Sequence, residues 1–177
     1  MTLSALAISG SPRENGNTAI LLRRCLDRLT TQGIGCELVS LSGKTIRGCI
    51  ACGACSQTRD ATCSGTTDDD FQPYFEKMVK ADIIIVGSPV YFGSATPELM
   101  ALLDRAGYVG RANGNLFSRK LGGTIAPEMR AKTREIGRDG RGGAKSRLSR
   151  GEYIFRGLKR YLTTPNECGE PAAGVVT

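Results

Sequence analysis

Asp82-Ile83-Ile84-Ile85-Val86-Gly87 is the stretch that decides the fold. Four consecutive β-branched residues between a charge and a glycine form a run too short for a helix and without polar alternation. That pattern predicts a strand buried on both faces, at the centre of a parallel sheet. Working back, residues 3–9 form a similar apolar run that ends in Ser9-Gly10-Ser11-Pro12, the turn expected where a buried strand stops. Asn17-Thr18 then caps a helix whose face is Leu22, Cys25, Leu26 and Leu29, stopped by Gly33, with Cys25 read as a core thiol. Cys36 to Leu41 is a further strand. Asp68-Asp69-Asp70 supplies carboxylates to the positive end of a helix with the apolar face Phe71, Phe75, Met78 and Val79. Working forward, Thr96-Pro97 is a cap and first-turn pair for a helix carrying Leu99, Leu102, Leu103 and Ala106. Lys120 to Ala126 is a weaker fourth strand with Gly122 and Gly123 inside it. Alternating strands and helices with buried strands predict a doubly wound parallel sheet in three α/β/α layers. Ligands of such sheets lie at the carboxyl ends of the strands.

The composition bounds the chemistry. The chain has 177 residues, the size of about one domain, and 40% of them are hydrophobic, enough for a core. There is no histidine, which excludes a Ser-His-Asp triad, a Cys-His dyad and histidine-ligated zinc. The net charge of +7 is uneven: residues 1–126 carry 13 Lys and Arg against 11 Asp and Glu, and residues 127–177 carry 11 against 6. The Arg/Gly-rich stretch 130–150 has no aromatic among its charges, so we read the tail as a solvated basic segment and not a nucleic-acid site. The N-terminus has no basic leader and no apolar run approaches ~18 residues, which predicts a cytoplasmic protein without a membrane partner. Seven cysteines then belong to a reducing compartment, where clustered thiols are metal ligands or redox groups more often than disulfides.

Three loops carry candidate chemistry. Ser9-Gly10-Ser11-Pro12-Arg13-Glu14-Asn15-Gly16-Asn17-Thr18 leads from a strand into a helix N-terminus, so amides, helix dipole and hydroxyls can converge on a phosphate. It is neither a Walker A nor a G-x-G-x-x-G motif, and a purely structural Gly/Asn turn is the alternative. Ser88-Pro89-Val90-Tyr91-Phe92-Gly93-Ser94 places apolar and aromatic groups directly after the central strand, suited to a flat heteroaromatic ring. The alternative is that Tyr91 and Phe92 pack under the next helix. Together the two loops describe a phosphate at one end and a planar ring at the other.

At this point the chain resembles a known family. SGSPRENGNT (9–18) and GSPVYFGSATPELMALLDR (87–105) look like the flavodoxin-like NAD(P)H-dependent FMN reductases, and with the intervening cysteines they resemble the iron–sulfur flavoprotein subgroup. The resemblance covers about residues 3–126 and implies the flavodoxin strand order 2-1-3-4-5. It implies that Ser9, Ser11, Pro12, Arg13, Asn15, Gly16, Asn17 and Thr18 surround an FMN phosphate. Pro89, Val90, Tyr91, Phe92 and Gly93 would border the isoalloxazine. It also implies a homodimer or homotetramer.

The third loop is Cys49-x2-Cys52-x2-Cys55-x7-Cys63. Four cysteines within fifteen residues can wrap a [4Fe–4S] cluster, whereas zinc ribbons split their ligands into two distant pairs. A thioredoxin-type pair would leave two thiols unexplained. Because its strand neighbours the first one, this loop is expected to open on the same sheet edge as the flavin. The expected function is electron transfer between cluster and FMN, with no side-chain acid or base. NAD(P)H or a ferredoxin-like carrier would be the donor and a small molecule the acceptor. The alternatives are an FMN or quinone reductase without a cluster and a non-catalytic flavodoxin-like carrier. The expected organisation is a core at 1–126 with a cysteine insertion at 46–66. An atypical Gly/Arg-rich segment follows at 127–177, where no fifth core strand is identifiable and Cys168 has no role.

Overall fold

The run at 83–87 forms the strand that joins the two halves of the sheet, with Ile84 and Val86 buried on one face and Ile83 and Ile85 only partly buried on the other, short of the full burial expected. The computed structural model describes residues 2–127. The elements are β1 (Ser4–Ser9), α1 (Asn17–Thr30), β2 (Gly35–Ser40), α2 (Ala54–Thr58), α3 (Phe71–Lys80), β3 (Ile83–Gly87), α4 (Pro97–Ala112) and β4 (Leu121–Ile125). The strands are parallel in the order β2-β1-β3-β4. β1 pairs with β3 from Ala5 opposite Ile83 to Ser9 opposite Gly87. Asp82 fixes that register, because its carboxylate accepts from both the amide and the hydroxyl of Ser4, each at 2.9 Å. The fifth-strand question, the basic tail and Cys168 lie outside the described residues.

Alternate side chains of the strands feed two cores. Leu6, Ile8, Ile84 and Val86 face α3 and α4, where they meet Phe71, Phe75, Met78, Leu99 and Leu102. Ala5 and Ala7 face α1 and pack with Leu22 and Leu26. Small residues on that face let α1 approach closely, and Gly87 is part of the same fit: a Cβ there would lie 2.8 Å from a Thr18 methyl. The three-layer α/β/α arrangement is therefore as expected.

Several local expectations are corrected. Asn17 and Thr18 do not cap α1; they are its first two residues, and the N-cap is Gly16, which has no side chain to offer. Cys25 is only half-buried and stands outside the packed clusters, so it is not a core thiol. Thr96 occupies the N-cap of α4 without capping it, because its hydroxyl is used elsewhere. The N-cap residue Asp70 does not cap α3; of the three aspartates only Asp69 reaches the helix start, accepting the Phe71 amide at 3.2 Å, and all three bond to other partners as well. Asp70 accepts from the Thr45 amide at 2.9 Å, Asp68 pairs with Arg47, and Asp69 is buried against Arg105. Carboxylates preceding a helix satisfy capping rules by sequence, but here a long incoming loop takes Asp68 and Asp70 and shares Asp69 with the helix.

Candidate functional site

The two expected flavin loops meet at the carboxyl ends of β1 and β3. The Gly10 amide donates to the Gly87 carbonyl at 2.7 Å, and the Thr96 hydroxyl donates to the Gly10 carbonyl at 2.7 Å. Gly10 also lies against α4, where a Cβ would come within 2.9 Å of Leu99 and Thr96. Glycine is required there for helix and turn to touch.

Within residues 9–18, Ser9, Ser11 and Thr18 are buried, Gly16 is half-buried, and Pro12, Arg13, Asn15 and Asn17 are exposed. The Ser11 hydroxyl accepts the Arg13 amide at 3.1 Å, which curls the loop. The Gly16 carbonyl accepts the Ile20 amide at 3.1 Å to begin α1, so the preceding first-turn amides have no intrahelical acceptor. A helix start without a side-chain cap, set over buried hydroxyls, has the donor chemistry for a phosphate. Asn15 is turned along the helix, its amide oxygen accepting from Arg23 at 3.1 Å.

The second loop is a tight hairpin. Tyr91 and Ser94 exchange backbone hydrogen bonds of 2.8 and 3.0 Å. The residues between them, Phe92 and Gly93, have φ of +48° and +86°. Positive φ at both central positions marks the primed turn that suits a two-residue hairpin, and a phenylalanine there is strained. The turn carries the Phe92 side chain fully into solvent, with Tyr91 about half exposed. The alternative that both rings pack under α4 is thereby excluded. Pro89 and Val90 are half-buried beside them.

The four cysteines of the 49–63 loop line one pocket, together with Ile50, Gly65, Arg105 and Tyr108. All four are free thiols; Cys49 and Cys52 are exposed, Cys63 is half-buried, and Cys55 is buried within the short α2. Gly65 lies directly against the Cys52 sulfur, leaving no room for a Cβ. The loop is tightly curled, with Ala51, Gly53, Arg59 and Ala61 all at positive φ. Among the described residues, no group of three or more His, Cys, Asp or Glu side chains is gathered closely enough to hold a metal ion. The donor chemistry, four thiols around one pocket, fits an iron–sulfur cluster, whose ligands bind separate corners and not a single atom.

The expectation that this loop opens beside the flavin needs correction. It leaves β2 at the flavin edge, where the Ser42 hydroxyl donates to the Pro12 carbonyl at 2.8 Å. The pocket, however, lies against Arg105, Tyr108 and Val109 of α4. That is eight to twelve residues past Pro97, or about 12–18 Å along the helix.

The residue that organises the pocket was not singled out from the sequence. Arg105 is buried, with its guanidinium carbon 4.0 Å above the Phe71 ring. It pairs with Asp69 and donates to the Arg47 carbonyl at 3.2 Å and to the Thr66 carbonyl at 2.7 Å. Arg47 and Thr66 are the two stems of the cysteine loop. Burial of Asp69 opposes its ionisation. The amide of Arg47, the guanidinium of Arg105 and the amide of Phe71, all donated to it, nevertheless hold its pKa below the ordinary carboxylate value. The signal in the sequence is an arginine between Leu102 and Ala106 on the apolar stripe of a helix, which demands a buried carboxylate partner.

A doubly wound parallel sheet with a phosphate-competent first turn and an aromatic hairpin after its central strand defines a flavodoxin-like, flavin-binding class of protein. The NADPH-dependent FMN reductase family model matches residues 3–135, and the chain belongs to that family. An iron–sulfur flavoprotein of Methanocaldococcus jannaschii is 38% identical over 70% of this chain and 61% of its own length. One from Methanosarcina thermophila is 37% identical over 67% and 60%. The chain thus groups with the iron–sulfur flavoproteins but spans only about three fifths of these relatives. Among solved structures, an azoreductase from Bacillus anthracis superposes with a TM-score of 0.58 at 13% identity, over 92% of this chain and 83% of that one. RosB with a bound flavin-phosphate intermediate superposes with a TM-score of 0.57 at 18% identity, over 72% and 52%. Both likenesses show the fold.

Proposed function

We propose that the chain is an FMN-dependent oxidoreductase in which a [4Fe–4S] cluster held by Cys49, Cys52, Cys55 and Cys63 exchanges electrons with FMN. The observation that carries this reading is the single pocket lined by all four cysteines in a chain that also has the family's two flavin loops. When bound, the flavin supplies two-electron chemistry and the cluster one-electron chemistry. The protein's residues hold and shield. First-turn amides of α1 with Ser9, Ser11 and Thr18 bind the phosphate, backed by the exposed Pro12, Arg13, Asn15 and Asn17 and the half-buried Gly16. Tyr91 and Phe92 flank the ring, and Gly93 lets the hairpin backbone come close. Pro89 and Val90 make its apolar floor.

NAD(P)H or a ferredoxin-like carrier is the proposed donor and a small molecule the acceptor. The 12–18 Å offset along α4 favours a homo-oligomer in which the cluster of one protomer serves the flavin of another. No helix among the described residues is long and apolar enough to cross a membrane, consistent with a cytoplasmic setting.

The second reading is an FMN or quinone reductase without a cluster, its cysteines binding zinc or nothing; the family match supports the flavin chemistry in either case. Anaerobic purification followed by a visible spectrum and iron, sulfide and zinc analysis separates them. About four irons and four sulfides per chain alongside flavin is the result expected for a four-cysteine cluster. Flavin with zinc or no metal, after reconstitution with iron and sulfide, sinks the cluster assignment.

A further inference from the structure

One nitrogen of Arg105 has no partner. Its two terminal nitrogens serve Asp69, Arg47 and Thr66, yet its Nε–H is buried without any hydrogen-bond partner. It is the only buried side-chain nitrogen or oxygen among the described residues in that condition. Proteins rarely leave a charged donor desolvated and unmatched, because the lost hydration is not recovered. The same residue lines the pocket with all four cysteines. An acceptor in that pocket would complete the guanidinium, and sulfur carrying negative charge is the acceptor that four cysteinyl ligands bring.

We propose that Arg105 is a positioning residue of the cluster site: it staples the two stems of the cysteine loop and donates its Nε–H to sulfur in the pocket. This rests on the cluster reading above. Two features make the assignment specific. The bonds to Arg47 and Thr66 bracket the segment 48–65 that carries every ligand, so one rigid side chain sets the width of the loop's mouth. The pairing with Asp69 neutralises the guanidinium locally, so the effect on the cluster comes from the directed N–H and not from added net charge. Hydrogen bonds to cluster sulfur favour the more negative, reduced form and raise the reduction potential.

The test uses the full chain reconstituted anaerobically with iron and sulfide, and compares wild type with Arg105→Lys and with the double variant Arg105→Met/Asp69→Asn. Lysine keeps the charge beside Asp69 but lacks the fork and the Nε–H. The double variant removes both buried charges together. FMN binding and cooperative unfolding report that each variant folds, and potentiometric titration with spectroscopic detection reads the one-electron couple. The expected result is a reduced-to-oxidised equilibrium at least tenfold less favourable in both variants, a potential lowered by about 59 mV or more. Loss of iron from folded, FMN-binding variants supports the stapling role. Variants that hold four irons with a reduction equilibrium within threefold of wild type overturn the proposal. Wild type that binds FMN but takes no iron overturns the cluster reading itself.

Discussion

The hydroxyl of Thr96 donates to the carbonyl of Gly10 across 2.7 Å, joining two turns that are 86 residues apart in the chain. This bond ties the turn after β1 to the start of α4. Replacing Thr96 by valine keeps the shape and leaves a buried carbonyl unmet, so we expect about 1–3 kcal/mol of lost stability. Gly10→Ala, whose methyl would press on Leu99 and Thr96, should cost a similar ~1–3 kcal/mol through overpacking. Urea unfolding of the apoprotein measures both, and an unchanged midpoint for either would contradict the packing described.

Phe92 is held in a left-handed conformation with its ring in water. Glycine there should raise apoprotein stability by about 1 kcal/mol, since the strain of a left-handed side chain is of order 1–2 kcal/mol. If the ring contacts the flavin, the same change should weaken FMN binding several-fold to tenfold, as aromatic contacts contribute ~0.5–1.5 kcal/mol. Thermal unfolding without ligand and flavin fluorescence titration would show the two effects moving in opposite directions.

Gly65 touches the Cys52 sulfur. Gly65→Ala must push that cysteine out of place, while the flavin loops are untouched. Iron content after reconstitution should fall at least severalfold with FMN affinity within twofold of wild type. Retention of full iron would mean that Cys52 has freedom the packing denies it.

Asp69 has a pKa lowered by the amides and guanidinium around it, despite its burial. A carboxylate with a folded pKa below its unfolded value of ~3.9 gives its full stability above that value and loses it as pH falls through the folded one. Wild type should therefore weaken progressively on acidification below about pH 4, and Asp69→Asn should flatten this part of the profile. Urea unfolding of the apoprotein between pH 6 and pH 2.5 compares the slopes. At neutral pH, Arg105→Met alone should cost about 3–5 kcal/mol, because it strands a buried carboxylate.

Much of the fold was legible because its signals are dense. The β-branched run 83–87 admits one environment, and the turns at Gly10 and Gly87 follow apolar strands directly. Strand bounds came out within about a residue: β2 spans Gly35–Ser40 where Cys36–Leu41 was expected. The cysteine spacing marked the ligand set and the hairpin residues marked an aromatic tip, but spacing carries no direction. Nothing in residues 46–66 indicated that the loop would run down α4, because its course is set by distant partners: Asp69, Asp70 and Arg105. The same long-range competition turned Asp68 and Asp70 from apparent helix caps into anchors and gave Asp69 both roles. Cys25 was misplaced because a helical stripe marks which face turns inward without saying how far the next layer reaches.

The curled cysteine loop inverts the usual logic of conservative substitution. Ala51, Arg59 and Ala61 all sit at positive φ, where a Cβ is a burden. Alanine scanning, designed as a neutral truncation, would leave that burden in place at Arg59, whereas glycine at any of the three should relax the backbone and slow local opening in hydrogen exchange. A library built for robustness would therefore seek glycine in this loop, the residue that thermostabilising designs ordinarily remove.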